Sequence, residues 1–431
     1  MQKTISTREL AEQVLARCNK LASFSETAGR LRRTFLSAPM RDVHREIASW
    51  LDPLQIATRI DAAGNLRALY PAGRNSGSRL LIGSHLDTVP NAGRYDGIIG
   101  VVLAVALIEA LNGQKLPYGI DVVGFSDEEG IRFGVPFLGS RALVGLLDDT
   151  LLQLKDATGI SIRKAVEGFG LNPAEIPNAR LDNSLPDSHV CGYLEFHIEQ
   201  GPVLGQLGAP LAAVEAIAGQ TRMEFSFLGR ANHAGTTPMN LRADAVAGAA
   251  EWITVVEDEA DTTPGLVATV GSITTLPGAA NVIARETRLT LDVRHRDDDV
   301  RKRAVEKMTE QAEQISNRRG LSVQYQIRLD QPAVAMNPFL TDQIETAIRA
   351  VGCKPHRMMS GAGHDAMILA ETLPSAMVFL RTPGGISHDP AESVLVADVE
   401  KAIACGVHLL DQLASSPEFL KPEFRKGTHR A

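Results

Sequence analysis

The stretch RLLIGSHLDTVPNAGRYDGIIGVVLAVALIEAL, residues 79–111, sets an apolar run of strand length, a turn-rich segment and an apolar run of helical length side by side. Residues 79–85 predict a strand, and GIIGVVLAVALIEAL at 97–111 predicts a buried helix, too short to span a bilayer. Strand followed by helix is the repeating unit of an α/β sheet. Between the two, His85, Asp87 and Asp96 stand among small, apolar and turn-forming residues. They are either a surface turn or half of a metal site completed elsewhere in the chain.

The same texture recurs outward. IDVVGFSDEEG from 120, VCGYLEFHIEQG from 190 and SAMVFLRTPGG from 375 are apolar runs closed by turn residues, and helical patterns fall at 338–351 and 397–413. This alternation predicts an α/β domain, a sheet with helices on its faces. Between roughly 215 and 328 the pattern changes. TRMEFSFLG and TRLTLDVRHR alternate as half-exposed strands do, whereas RADAVAGAAEWITVVEDEA and DDDVRKRAVEKMTEQAEQISNRRG are amphipathic helices. That predicts a small α+β domain, 215–328, inserted between two segments of the larger one, 1–214 and 329–431. At 431 residues the chain also exceeds what one core usually supports.

With 44 basic and 51 acidic residues the formal charge is -7, and no long Lys or Arg run is present, so nucleic acid is not an expected partner. The opening MQKTISTRELAEQVLARCNKLASF has helical spacing and lacks the apolar stretch of a signal peptide, which predicts a cytoplasmic protein with no membrane segment. Cys18, Cys191, Cys353 and Cys405 lie far apart without a CxxC pair. Such usage fits a reducing compartment and leaves His and carboxylate as the ligands of any metal.

His85, Glu128 with Glu129, His197 and His388 all fall at or just beyond predicted strand ends, and Asp96 opens the helix at 97. In open α/β sheets ligands bind beyond the carboxyl ends of the strands, so these positions converge on one crevice. Two divalent ions about 3.5–4 Å apart need a bridging carboxylate and terminal His or carboxylate ligands. His85, Asp96, Glu129, His197 and His388 suffice. Asp87 is placed to accept the second N–H of the His85 imidazole. Of the adjacent acids 128 and 129, one can ligate while the other takes a proton from a water between the metals. Each residue alone is an ordinary polar group at a strand end; their coincidence carries the metal reading.

GSHLDTVPNAGRYDG, SDEEGIRFGVPFLGS, FHIEQGPVL, NHAGTTPM, LDVRH, SGAGHDA and GGISHDPAE, in this order between about 80 and 392, together resemble the hydantoinase/carbamoylase group of metal-dependent amidohydrolases. That group includes allantoate amidohydrolases, N-carbamoyl-L-amino-acid hydrolases and β-ureidopropionases, within the superfamily of dinuclear zinc aminopeptidases and carboxypeptidases. The resemblance implies a zinc-exopeptidase-like catalytic domain with a mixed, mostly parallel sheet, and an inserted lid that also makes a homodimer. It implies that His85, Asp96, Glu129, His197 and His388 hold two divalent ions (Zn or Mn, with Co possible), with Asp96 bridging and Glu128 as general base. No metal position departs from the pattern.

In TRLTLDVRHR, Leu289, Leu291 and Val293 share one face and Thr290, Asp292 and Arg294 the other, so Arg294 is free to project, with a planar fork suited to a substrate carboxylate. His233 lies in a loop after a strand, where it could polarise the scissile carbonyl or hold the oxyanion. Gln200, Asn281, Gly363 and His364 resemble the family's remaining substrate contacts. The implied reaction is hydrolysis of the terminal ureido C–N bond of a small ureido acid, with release of ammonia and carbon dioxide. Allantoate, an intermediate of purine breakdown, is the foremost substrate. N-carbamoyl-L-amino acids or β-ureidopropionate are the alternatives, ahead of aminoacylase or peptidase chemistry and of a non-catalytic metal-binding role.

Overall fold

A computed structural model describes residues 5–73, 77–181, 189–421 and Phe424. It divides into two compact units, one formed by the chain up to Glu215 with Met336–Met358 and the residues from Gly363 onward, the other by Ala216–Ala335 with Met359–Ala362.

In the first unit lie strands β1 (Thr58–Ile60), β2 (Leu66–Tyr70), β3 (Arg79–His85), β4 (Gly119–Phe125), β5 (Val190–Ile198) and β6 (Leu211–Ile217), the last running across the boundary between the units. The second unit carries β7 (Gly219–Leu228), β8 (Val267–Leu276), β9 (Glu286–His295), β10 (Ser322–Gln331) and β11 (Val334–Ala335); β12 (Arg357–Ser360) and β13 (Ser375–Leu380) come after it in the chain. The larger sheet is mixed, in the order β1-β2-β4-β3-β5-β13-β6-β11, with β12 also on β6. Its centre, β4-β3-β5-β13, is parallel, and β2 and β6 join antiparallel on either side. All nine positions of β5 are buried. Successive side chains point to opposite faces, so both faces of this strand are covered, which is why its sequence reads as a nearly continuous apolar run.

The helix Ile98–Ala110 is apolar all round and buried over nearly its whole length, as expected of a core helix. It packs on β3, β4 and β5 and against the helices Thr7–Ala22 and Val396–Ala414. Each of its buried Val, Leu and Ile side chains contributes roughly 1.5–3 kcal/mol relative to exposure. Its approach to β5 depends on Gly100, where a Cβ would stand 2.2 Å from the Phe196 carbonyl oxygen. Among the described residues no helix is long and apolar enough to cross a membrane.

The second unit is an antiparallel sheet, β10-β7-β9-β8, with the helices Ala245–Thr262 and Asp298–Arg318 packed on it. Asp244 and Asp297 cap those helices with side-chain acceptors. β7 and β9 bury alternate residues, and Phe225 meets Trp252 at 4.3 Å between ring centroids. β10 runs on to Gln331 and the unit to Ala335, beyond the sequence-expected close at 328.

Candidate metal centre

The parallel alignment of β4, β3, β5 and β13 brings their carboxyl ends to one edge. His85 is the last residue of β3 and His197 the penultimate residue of β5. Glu128 and Glu129 come just after β4, and His388 comes after β13 and the turn Pro383–Gly385. The helix Ile98–Ala110 starts directly after Asp96 and Gly97.

These residues meet. Potential ligand atoms of His85, Asp96 and His197 lie within 4.8 Å of one another, as do those of Asp96, Glu129 and His388 and those of His85, Glu128 and Glu129. Asp96 belongs to both of the first two groups. Its Oδ1 is 3.3 Å from His197 Nε2 and its Oδ2 3.1 Å from His388 Nε2, which also lies 3.8 Å from Glu129 Oε1.

The imidazoles are oriented from behind. His85 Nδ1 is 3.0 Å from the Asp87 backbone carbonyl, and His197 Nδ1 is 2.8 Å from the Ile198 carbonyl. A carbonyl oxygen only accepts, so each Nδ1 carries a proton and Nε2 is the atom each ring turns to the cluster. Burial would lower His85, but Asp87, Glu128 and Asp96 raise it well above its ordinary range. His197 Nε2 is buried without a hydrogen-bond partner. Gly97 makes room for the other ring: a Cβ there would stand 2.3 Å from His85 Nε2, and its φ of +68° is one that side chains rarely adopt.

The electrostatics suit a cation. Burial, with Asp96 adding to it, pushes the Glu129 carboxyl up to about 7. Burial likewise lifts Glu128 well above the usual range, opposed by His85. Burial also pulls His197 down to about 4, which leaves it neutral and able to ligate. Asp96 would be raised by burial too, but the hydrogen bond to His388 and the charge of His85 hold it well below the ordinary carboxylate range. Buried acids around a neutral imidazole whose Nε2 has no hydrogen-bond partner fit a divalent cation of borderline character.

Asp87 does more than expected. Its carboxylate is 3.4 Å from His85 Nδ1, farther than its own carbonyl, and its two oxygens accept the backbone N–H groups of Glu128 and Glu129 at 2.9 and 3.1 Å. Gln200 Nε2 donates to both Asp96 oxygens, at 2.9 and 3.1 Å, and to Ser387 Oγ at 3.2 Å. His364 is buried and meets the His197 ring edge-on at 4.4 Å. Gly363 packs on Phe137, whose Cζ would lie 2.9 Å from an added Cβ.

Two supporting acids were not foreseen. Glu195 accepts Ser84 Oγ at 2.8 Å and the Ala366 N–H at 2.9 Å, tying the strand of His85 to the segment of His364. A charged residue inside the apolar run GYLEF was the available signal, since a buried carboxylate needs partners. Glu392 accepts the N–H groups of Tyr95 and Asp96.

The remaining candidates belong to the second unit. His233 and Asn281 are neighbours: His233 bridges Val282, and the Ala234 N–H donates to the Asn281 carbonyl at 2.9 Å. His233 is exposed, and its Nδ1 accepts the Gly235 N–H at 3.1 Å, so the neutral ring carries its proton on Nε2. Arg294 does share a face with Asp292, but it is not free. Its Nε and Nη2 donate to the Asp292 carboxylate at 2.8 and 3.0 Å, and its Nη1 to the Gly361 carbonyl at 2.6 Å. Arg294 also lines a cavity of about 730 Å³ together with Arg222, Thr290 and Asp292.

Known proteins share this architecture. Allantoate deiminase 2 of Glycine max is 37% identical over 437 residues, 94% of this chain and 90% of its own length. N-carbamoyl-L-amino acid amidohydrolase of Geobacillus stearothermophilus is 35% identical, over 90% of this chain and 95% of its own. The crystal structure of an amidase of the hydantoinase/carbamoylase family from Burkholderia multivorans superposes with a TM-score of 0.87 at 28% identity, covering 94% of this chain and 98% of that one. Residues 81–412 match peptidase family M20/M25/M40, a span that runs from within β3 into the last long helix and contains every residue of the cluster. The chain belongs to peptidase family M20/M25/M40.

Proposed function

We propose that the chain is a metal-dependent amidohydrolase that hydrolyses the terminal ureido C–N bond of a small ureido acid, allantoate foremost, as a step of purine breakdown. The observation that carries this reading is Asp96, common to two groups of potential ligands with Glu128 beside them. His85 and His197 would hold one divalent ion with Asp96, and Glu129 and His388 a second. Zinc, manganese and cobalt all suit this donor set. Bound there, such a pair supplies Lewis acidity and lowers the pKa of water toward neutrality.

The chain's own residues do the rest. Glu128 takes a proton from the attacking water as that oxygen adds to the ureido carbonyl, then returns the proton to the leaving nitrogen. Asp87 fixes the backbone of Glu128 and Glu129 during the transfer. The C–N bond breaks, ammonia leaves, and the carbamate left behind falls to carbon dioxide and an amine. His233, with its proton on Nε2, is a donor for the oxyanion, a role in which one donor contributes about 3 kcal/mol. Arg294 receives the substrate carboxylate with the N–H groups that Asp292 and Gly361 leave over, and Gln200, Asn281, Gly363 and His364 contribute further substrate contacts. We further propose that the protein is cytoplasmic and works as a homodimer formed through its second unit.

The names of the relatives at 37% and 35% identity, an allantoate deiminase and an N-carbamoyl-L-amino acid amidohydrolase, support ureido substrates over peptides. N-carbamoyl-L-amino acids are the first alternative to allantoate, and β-ureidopropionate is the second on the motif resemblance alone. Protein reconstituted separately with zinc, manganese and cobalt is offered all three ureido acids, an N-acylamino acid and a dipeptide. Ammonia release fastest from allantoate is expected. Amino acid release from the dipeptide without ammonia from any ureido acid would overturn the proposal, and turnover of no compound with any metal would favour a binding protein.

A further inference from the structure

Glu392 ends the GGISHDPAE segment shortly after His388, and no step above uses it. Its side chain is buried. Oε1 accepts the backbone N–H groups of Tyr95 and Asp96 at 2.8 and 3.2 Å, and Oε2 accepts the Ser387 hydroxyl at 3.4 Å. The Glu392 N–H donates to the Asp389 carbonyl at 3.0 Å, a turn that folds the segment back beside His388. Gly93 completes the fit: a Cβ at that position would stand 2.3 Å from the Glu392 carboxyl carbon, so the loop passes over the carboxylate only because residue 93 has no side chain.

One buried carboxylate is thus gripped on one side by the loop that carries Asp96 and on the other by the neighbour of His388. Those two side chains meet at 3.1 Å, though they come from opposite ends of the first unit's sequence. Burying a carboxylate is costly unless its hydrogen bonds are made, so an acid that only filled this space would be a poor choice for stability.

We infer that Glu392 is a positioning residue, holding the Asp96 loop and the His388 loop at the spacing a shared cation requires and so setting the affinity of the centre without touching the cation. The inference rests on the metal reading above. It predicts that acceptor geometry, not charge, is what counts: glutamine keeps an oxygen for the two backbone N–H groups and an amide for Ser387 Oγ, whereas alanine keeps neither.

The test is chelator competition on zinc-loaded protein, with a zinc indicator as readout and no activity measurement. Glu392→Ala is expected to lose zinc at about 10–100-fold lower chelator concentration than wild type, the usual range for a group that orients metal ligands. Glu392→Gln should stay near wild type. Gly93→Ala, which drives a methyl into the carboxylate, should resemble Glu392→Ala, and it decides the matter if Glu392→Ala does not fold. Wild-type retention of zinc by the alanine variants overturns this inference alone, as does a Glu392→Gln variant as weak as Glu392→Ala. A wild-type protein that holds no zinc, manganese or cobalt overturns the metal reading and this inference with it.

Discussion

The Asp87 carboxylate accepts the backbone N–H of Glu128 at 2.9 Å, joining the loop after β3 to the loop after β4. Its other oxygen takes the N–H of Glu129 at 3.1 Å. One side chain therefore sets where both adjacent acids stand. In Asp87→Asn only one of the two backbone groups retains an acceptor, since the amide nitrogen faces the other with a donor. Metal affinity or turnover should fall by about 10–100-fold with the melting temperature little changed. Metal titration, ammonia release and a thermal melt check this; unaltered metal binding and rate would show that Asp87 does not position the pair.

Gly97 is a close steric neighbour of the His85 ring. In Gly97→Ala the methyl would stand 2.3 Å from His85 Nε2 on a backbone held at φ +68°, so the imidazole must move. Elemental analysis of the purified variant should find less metal than in wild type. A full complement would mean that His85 is not a ligand.

Arg67 and Asp121 form a buried pair between β2 and β4, with Arg67 Nε donating to Asp121 Oδ1 at 3.1 Å. Removing one partner strands the other's charge, at a cost of about 3–5 kcal/mol. Asp121→Ala should lower the urea midpoint sharply while leaving turnover per folded molecule unchanged. A midpoint equal to wild type would show that the pair is solvated or compensated.

Burial, with Arg33 and Arg41 opposing protonation, holds the His44 imidazole down at about 3 from its ordinary 6.5. The folded chain keeps this ring neutral, while the unfolded chain protonates it below about 6.5. The stability it contributes is present above that value and is lost as pH falls toward about 3, amounting to about 2 kcal/mol by roughly pH 5. Thermal midpoints of His44→Leu should fall less steeply than wild type across this window. Parallel curves would contradict the assignment.

The framework was legible because it depends on short-range pattern. Strands buried on both faces read as apolar runs, and a parallel sheet gathers the residues just past each run at one edge, so the positions of His85, Glu128, Glu129, His197 and His388 at that edge were readable without contacts. β8 and β10 escaped the pattern because apolar residues face outward there: Val267, Ile273, Tyr325 and Ile327 are all exposed. Glu195 and Glu392 act through partners distant in sequence, which no local window displays. Arg294 is a different case. The alternation that freed it from the core also put Asp292 on the same face two positions away, so their pairing was available from the same period-two rule.

The most direct test of the central claim sets Glu128→Gln beside Glu129→Gln, each purified and measured for bound metal and for ammonia release from allantoate. With Glu128 as proton carrier and Glu129 as ligand, Glu128→Gln should keep its metal and lose about 10²–10⁴-fold in rate, whereas Glu129→Gln should lose metal. Metal loss confined to Glu128→Gln, or wild-type ammonia release by that variant, would contradict the account.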